Sequence, residues 1–228
     1  IAKSDSELNS DEFKAKLTPY TQELDRHSAD YELYMVSGHF KSTVSAYVNE
    51  HHPDLVIVGT HGKHGLRQNL FGSDIYDLTK SLKTSILVVN DHMPITMGGF
   101  RKVLLPVGAH EDFLDKVKQT SMVIAKDAEI QIFNIIKAGV TLEKATLNNI
   151  EATKEYLDSK EIKWKYVQQE SHTFSVGYSK ETLEYAADNG IDLISIMVSA
   201  AHRTGSEDMD KENILLNTDG IPVICYNG

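Results

Sequence analysis

The clearest chemistry in this sequence is carried by Gly59, Gly62, Gly72 and Ser73. The stretch Asp54-Leu-Val-Ile-Val-Gly-Thr-His-Gly-Lys-His-Gly-Leu-Arg-Gln-Asn-Leu-Phe-Gly-Ser-Asp74 runs from an apolar segment, Leu55 to Val58, into Gly59. Gly62 follows after two residues and Gly72 after nine more, with Ser73 beside it. A short apolar run that stops at glycine reads as a buried parallel strand giving way to a tight loop. Glycine lets the backbone approach an anion closely, and serine at a helix start caps it or donates to a phosphate oxygen. The free N–H groups and positive dipole end of a helix favour the same anion. Lys63 and Arg67 add two cations to this loop. Glycines alone would only make turns. The whole spacing, held between a strand and a helix, points to a phosphate-bearing ligand.

Other chemistries find less support. Gly59 is not followed at the right distance by Gly-Lys-Ser/Thr, and no Gly-x-Gly-x-x-Gly occurs. Ten histidines raise the question of a metal. His61 and His64 lie just past His51-His52, but no Cys or carboxylate stands at ligand spacing, so they read as loop residues. Asp74 falls in the first turn of the expected helix, where the dipole stabilises a carboxylate by roughly 0.3–1 kcal/mol. It could instead weaken phosphate binding or help hold magnesium. No Ser-His-Asp arrangement or paired carboxylates are placed by motif, so catalysis has no sequence support.

The elements that must position the loop alternate. Ser10 to His27 sets Phe13, Leu17, Tyr20 and Leu24 on one helical face, with Ser10 as cap and Pro19 predicting a kink or break. A strand is predicted at Tyr31 to Val36, a helix carrying Phe40, Val44, Tyr47 and Val48, then the strand Leu55 to Val58. A helix over Ser73 to Leu82 and a strand over Ser85 to Val89 follow. Met93 to Phe100, with Pro94 and Gly98-Gly99, reads as a linker. The alternation then restarts. Strands are predicted at Val103–Val107, Glu129–Ile136, Lys163–Gln169, Asp192–Val198 and Ile221–Tyr226, and helices at Glu111–Lys126, Thr141–Ser159 and Lys180–Asn189. Tyr47 through Asp54-Leu55 matches Tyr185 through Asp192-Leu193 at constant shift, and the final strands fall nearly in register. The chain is an α/β protein with an internal repeat.

The glycine spacing, with Asp-Leu-Val-Ile-Val before it and Thr79 to Val89 after it, resembles the nucleotide loop of the universal stress protein family, in its ATP-binding branch. The two halves resemble the family's tandem members over essentially the whole chain. The resemblance implies two tandem doubly wound parallel-sheet repeats of strand order 3-2-1-4-5. They would span residues 1–92 and 101–228, with 93–100 as linker. It implies a cofactor site at Gly59, Thr60, His61, Gly62, Lys63, Arg67, Gly72, Ser73 and Asp74. There the N–H groups of Gly62, Gly72 and Ser73, with the Ser73 hydroxyl, hold the phosphates. The ligand would be ATP, with or without magnesium, or else AMP or another phosphate-containing molecule.

Departures from the family are equally informative. The first repeat lacks the family's first strand, first helix and second strand, so the chain is expected to be a fragment, a processed product or part of something longer. Tyr31–Val36 and Leu55–Val58 should then not be neighbours. In the second repeat Met197, Val198, Ser199 and Ala200 replace the glycine loop, and Gly108 stands where the family has a nucleoside-contacting aspartate. Glu207, Asp208, Asp210 and Glu212 would repel phosphate. The second repeat is expected to be a structural or regulatory partner. The final strands of the halves, open edges if left alone, are expected to meet in a repeat–repeat pseudo-dimer, with a homodimer as a further option.

Composition bounds the rest. A hydrophobic fraction of 41% and mean hydropathy of -0.30 describe a soluble globular protein. A net charge of -10 argues against nucleic acid or anionic lipid as partners. No apolar run approaches the ~20 residues of a membrane helix, and the first residues lack a signal-peptide core. The single cysteine, Cys225, fits a reducing cytoplasm. The reading is a cytoplasmic, ATP-binding stress sensor or regulator. A scaffold with a vestigial loop, or a slow ATPase, are the alternatives.

Overall fold

The computed structural model describes residues 9, 11–60, 68–90, 98–137, 139–171, 177–198 and 205–228. The chain divides into two compact units, Ile1–His52 and Pro53–Gly228.

In the first unit, helix α1 (Asp11–Arg26) continues across Pro19, so the expected break does not occur. Its last turn is held by Glu23, which pairs with Arg26 and with His27 at 3.0 Å. Tyr31 to Val36 is not a strand, which corrects the sequence expectation. Its apolar side chains are exposed, Leu33 at 52%, and a strand without ladder partners has nothing to hold it extended. What organises this segment is local: Tyr31 donates to Asp25 at 3.0 Å, and the Tyr34 ring meets Tyr47 edge-on. Helix α2 (Phe40–His51) carries Tyr47, on whose ring His51 stacks at 4.0 Å.

The second unit is built on one seven-stranded sheet. Its strands are β1 (Leu55–Thr60), β2 (Ser85–Asn90), β3 (Phe100–Pro106), β4 (Ile124–Ile136), β5 (Lys163–Glu170), β6 (Leu193–Val198) and β7 (Val223–Asn227). The order is β1-β2-β7-β6-β3-β4-β5. Taken alone, the second half runs β5-β4-β3-β6-β7, the predicted 3-2-1-4-5 order. Among the described residues the first half contributes β1 and β2, which join the strands of the second half in one continuous sheet.

The join is the one antiparallel pairing among the described strands, β2 on β7, with Ile86, Leu87 and Val88 opposite Cys225, Ile224 and Val223. Every other pair is parallel. Register also follows the repeat. Leu55 pairs with Ser85, and the corresponding Leu193 and Pro222 stand one residue before the paired Ile194 and Val223.

Helices α3 (Gln68–Ser81), α4 (Phe113–Ser121), α5 (Lys144–Ser159), α6 (Ser179–Asp188) and α7 (Gly205–Leu215) surround the sheet. α4 packs on α5, and α7 on both α6 and α3. The predicted helix Glu111–Lys126 ends early, at Ser121, because Ile124 to Lys126 open β4. Phe100, placed in the linker by sequence, begins β3. α7 was not predicted at all. The core gathers Val103, Leu105, Ile130, Ile132, Leu193, Phe113, Val117 and Leu157, each worth about 1.5–3 kcal/mol on burial.

Val223 is fully buried and lies between Val88 and Ile194. Val223→Asp puts an unpaired charge into this seam and should lower unfolding free energy by about 3–5 kcal/mol. Ile57→Asp, at a side chain 63% exposed on β1, should stay within about 0.5 kcal/mol of the parent. Urea unfolding checks both; equal stabilities would mean the seam is not a buried interface.

A lysine sits inside this core. Lys116 on α4 is 1% exposed, and its Nζ donates to the carbonyls of Pro106 at 2.9 Å and Ser195 at 3.3 Å. Burial first, and the charge of Lys211 second, hold its pKa well below the ordinary 10.5. Between the lowered folded value and 10.5 the unfolded chain binds more protons, so stability rises with pH across that window. Wild type should therefore gain stability relative to Lys116→Met as pH rises from about 7.5 to about 10. Parallel pH profiles in urea unfolding would show that this lysine stays charged in the fold.

Candidate functional site

The first candidate site begins where β1 ends. Gly59 pairs with Val89 in the ladder, and a Cβ built on it would meet nothing within 4 Å among the described residues. Among the described residues neither a turn nor crowding demands glycine there. Thr60 closes the strand. His61, Gly62, Lys63 and Arg67 lie outside the described residues. Gly72 and Ser73, expected at a helix start, lie inside α3, which begins at Gln68. Gln68-Asn-Leu-Phe holds no helix breaker, so the turn before Gly72 is helical. The free N–H groups of the helix therefore belong to Gln68 through Phe71. Asp74 is exposed on α3.

The second half contains a cleft of about 190 Å³ at the C-terminal ends of its strands. β3 has β4 on one side and β6 on the other; the crossover through α4 leads from β3 to β4, and the one through α6 leads from β5 back to β6. Such a switch point is where open α/β sheets bind ligands. Pro106, Val107 and Gly108 leave β3 here, and the Asn149 amide pins the loop by donating to the carbonyls of Gly108 and His110 at 2.8 and 2.9 Å. Phe133, Asn134 and Ile135 come from β4, Ile196 and Met197 from β6, and Lys211 from α7.

Two of the acidic residues, Asp208 and Asp210, are turned to partners away from this cleft. Asp210 accepts from the backbone N–H groups of Tyr178 and Ser179, both at 3.0 Å, and so caps α6. Gly177 makes room for it: its φ is +138°, and a Cβ there would stand 2.7 Å from Asp210 Oδ1. Asp208 accepts from the Tyr76 hydroxyl at 3.1 Å and lies 3.9 Å from Lys80 Nζ. The residue that reaches the cleft is Lys211. Sequence reasoning missed it and Asn134. A usable signal existed, because Asp210, Lys211, Ile214 and Leu215 are all buried and share one helical face.

Among the described residues no helix is long and apolar enough to cross a membrane, and no three His, Cys, Asp or Glu side chains gather as metal ligands.

Residues 2–90 match the universal stress protein family. In structure the chain is similar to a universal stress protein from Archaeoglobus fulgidus DSM 4304, with a TM-score of 0.64 at 13% identity over 96% of this chain and 80% of that one. It is also similar to a functionally unknown protein from Pseudomonas aeruginosa PAO1, with a TM-score of 0.59 at 12% identity over 94% of this chain and 77% of that one. At such identities these two likenesses speak for the fold. No curated protein matches the chain. The glycine loop that opens the first site lies within the stretch, residues 2–90, that matches the universal stress protein family.

Proposed function

We propose that the first half binds ATP at the loop following β1, and that the chain is a cytoplasmic stress-response protein whose shape or partners depend on that occupancy. The observation that carries this is Gly59. It stands next to last in a parallel strand, with open space at its Cβ position among the described residues, and leads into the Gly62 and Gly72-Ser73 spacing. The family match covers the same loop. On this reading backbone groups of Gly59, Thr60, His61 and Gly62, with the free N–H groups in the first turn of α3 and the Ser73 hydroxyl beyond them near Gly72, approach the phosphates. Lys63 and Arg67 balance the charge, and Asp74 helps a magnesium ion accompany the nucleotide. AMP or another phosphate-bearing ligand would use the same groups.

A second reading is an interaction protein with a vestigial loop. What favours it is β1, which ends the sheet with Ile57 at 63% exposure and no further strand among the described residues. β5, the opposite edge, carries Lys163 and Lys165, the charge pattern that blunts edge pairing. ATP retained through purification separates the two readings.

Gly62→Val places a side chain where phosphate must approach and should weaken ATP binding at least about ten-fold, or ~1.4 kcal/mol. Ala200→Val, at the matching position of the second half, should change it little. Calorimetric titration checks this. Equal losses from both changes, or two wild-type sites of similar affinity, would overturn the assignment. Steady ADP release abolished by Ser73→Ala would add hydrolysis to binding.

A further inference from the structure

The sequence repeat places one kind of strand in two settings. β6 and β1 correspond, Asp192-Leu193 standing for Asp54-Leu55. β6 lies between β7 and β3, and the β3 pairing sets Leu193 opposite Val103 and Ile194 opposite Leu104. β1 pairs with β2 from Leu55 to Thr60, and its other edge meets no described strand.

Two side chains mark what β6 has and β1 lacks. Asp192 accepts from the N–H groups of Arg101 and Lys102 and so holds the start of β3. Asp54, its counterpart, is exposed and has no hydrogen-bond or ionic partner among the described residues. Ser195 is fully buried beneath α4, where its hydroxyl shares a 2.8 Å hydrogen bond with that of Thr120. Ile57 holds the same place in β1 and is 63% exposed. The sheet face is continuous here: Ile57 pairs with Leu87 and Leu87 with Ile224, both of them buried. The apolar face therefore runs on to Ile57 and stops uncovered. Leu55–Thr60 carries no charge and no proline, the devices that close an edge to pairing. Such an edge takes an added strand, whose main chain supplies the hydrogen bonds.

We propose that the outer edge of β1 docks a strand-and-helix segment of a partner polypeptide, an apolar stretch parallel to β1 followed by an amphipathic helix. The first N–H groups of that strand donate to Asp54, as those of β3 donate to Asp192. The helix lays its apolar face over Ile57, as α4 lies over Ser195. The occupant is thus defined by what the same chain places beside β6.

The probe is a synthetic peptide of this chain's own β3–α4 sequence, Phe100 to Met122, titrated into the whole chain. Wild type should bind it saturably, and a scrambled peptide of the same composition should not bind. Asp54→Ala should weaken binding about ten-fold, the worth of a lost charge-assisted hydrogen bond. Ile57→Asp should abolish it. The shorter Phe100–Val107 peptide, without the helix, should bind more weakly than the full one. Absence of saturable binding, or binding that either variant leaves unchanged, would overturn the proposal; insensitivity to both would mean exchange with β3 itself. Sedimentation of the chain alone supplies the other test. A dimer that Ile57→Asp dissociates would give the edge to a second copy and overturn the proposal too. None of these measurements needs nucleotide, so failure here is separable from failure of the ATP site.

Discussion

The backbone pairing of β2 with β7 is the contact on which the second unit depends. Two parallel strands and one helix make a marginal structure in water, because too little apolar surface is covered on either face. Pairing Ile86 to Val88 with Val223 to Cys225 removes two open edges at once and lets Leu87 and Ile224 enter the same core cluster. The contact extends beyond the ladder. The Asn227 amide donates to the carbonyls of Lys80 and Leu82, both at 2.9 Å, and so satisfies acceptors left free at the end of α3. Tyr76 and Lys80 on the same helix reach Asp208 of α7.

The repeat also shows where the halves diverge. Asp192 accepts from the N–H groups of Arg101 and Lys102 at 2.8 and 2.9 Å, which clamps the start of β3 beside β6. Asp54 is its counterpart in the sequence repeat, and it is exposed. No described strand stands beside β1 as β3 stands beside β6. The second half therefore has a switch point and a cleft, whereas among the described residues the first half has β1 at the sheet's end. The same sequence motif serves two different surroundings.

Much of this was legible in the sequence. Buried parallel strands such as Leu193 to Val198 are apolar throughout, and the aspartate-leucine start shared by β1 and β6 marks the repeat. Tyr31 to Val36 was misread because apolar alternation reports a face to be covered but not whether a neighbour exists to pair with. The α4–β4 boundary was misread because Val123-Ile124-Ala125 suits a helix face as well as a strand, and packing at the sheet decides. α7 was hidden by its own composition. Its buried face includes Asp210 and Lys211, polar side chains with specific internal positions that leave little apolar periodicity to read. The second cleft escaped notice for the same reason: buried polar groups carry no hydropathy signal.

Cys225 has a use that its chemistry would not suggest. It is the chain's single thiol, 1% exposed and paired with Ile86 across the join, and burial pushes its pKa upward. A thiol so placed reacts with a labelling reagent only when the two half-sheets part. The labelling rate is then a clock for that opening, set by the local free energy of separation and readable without any added probe.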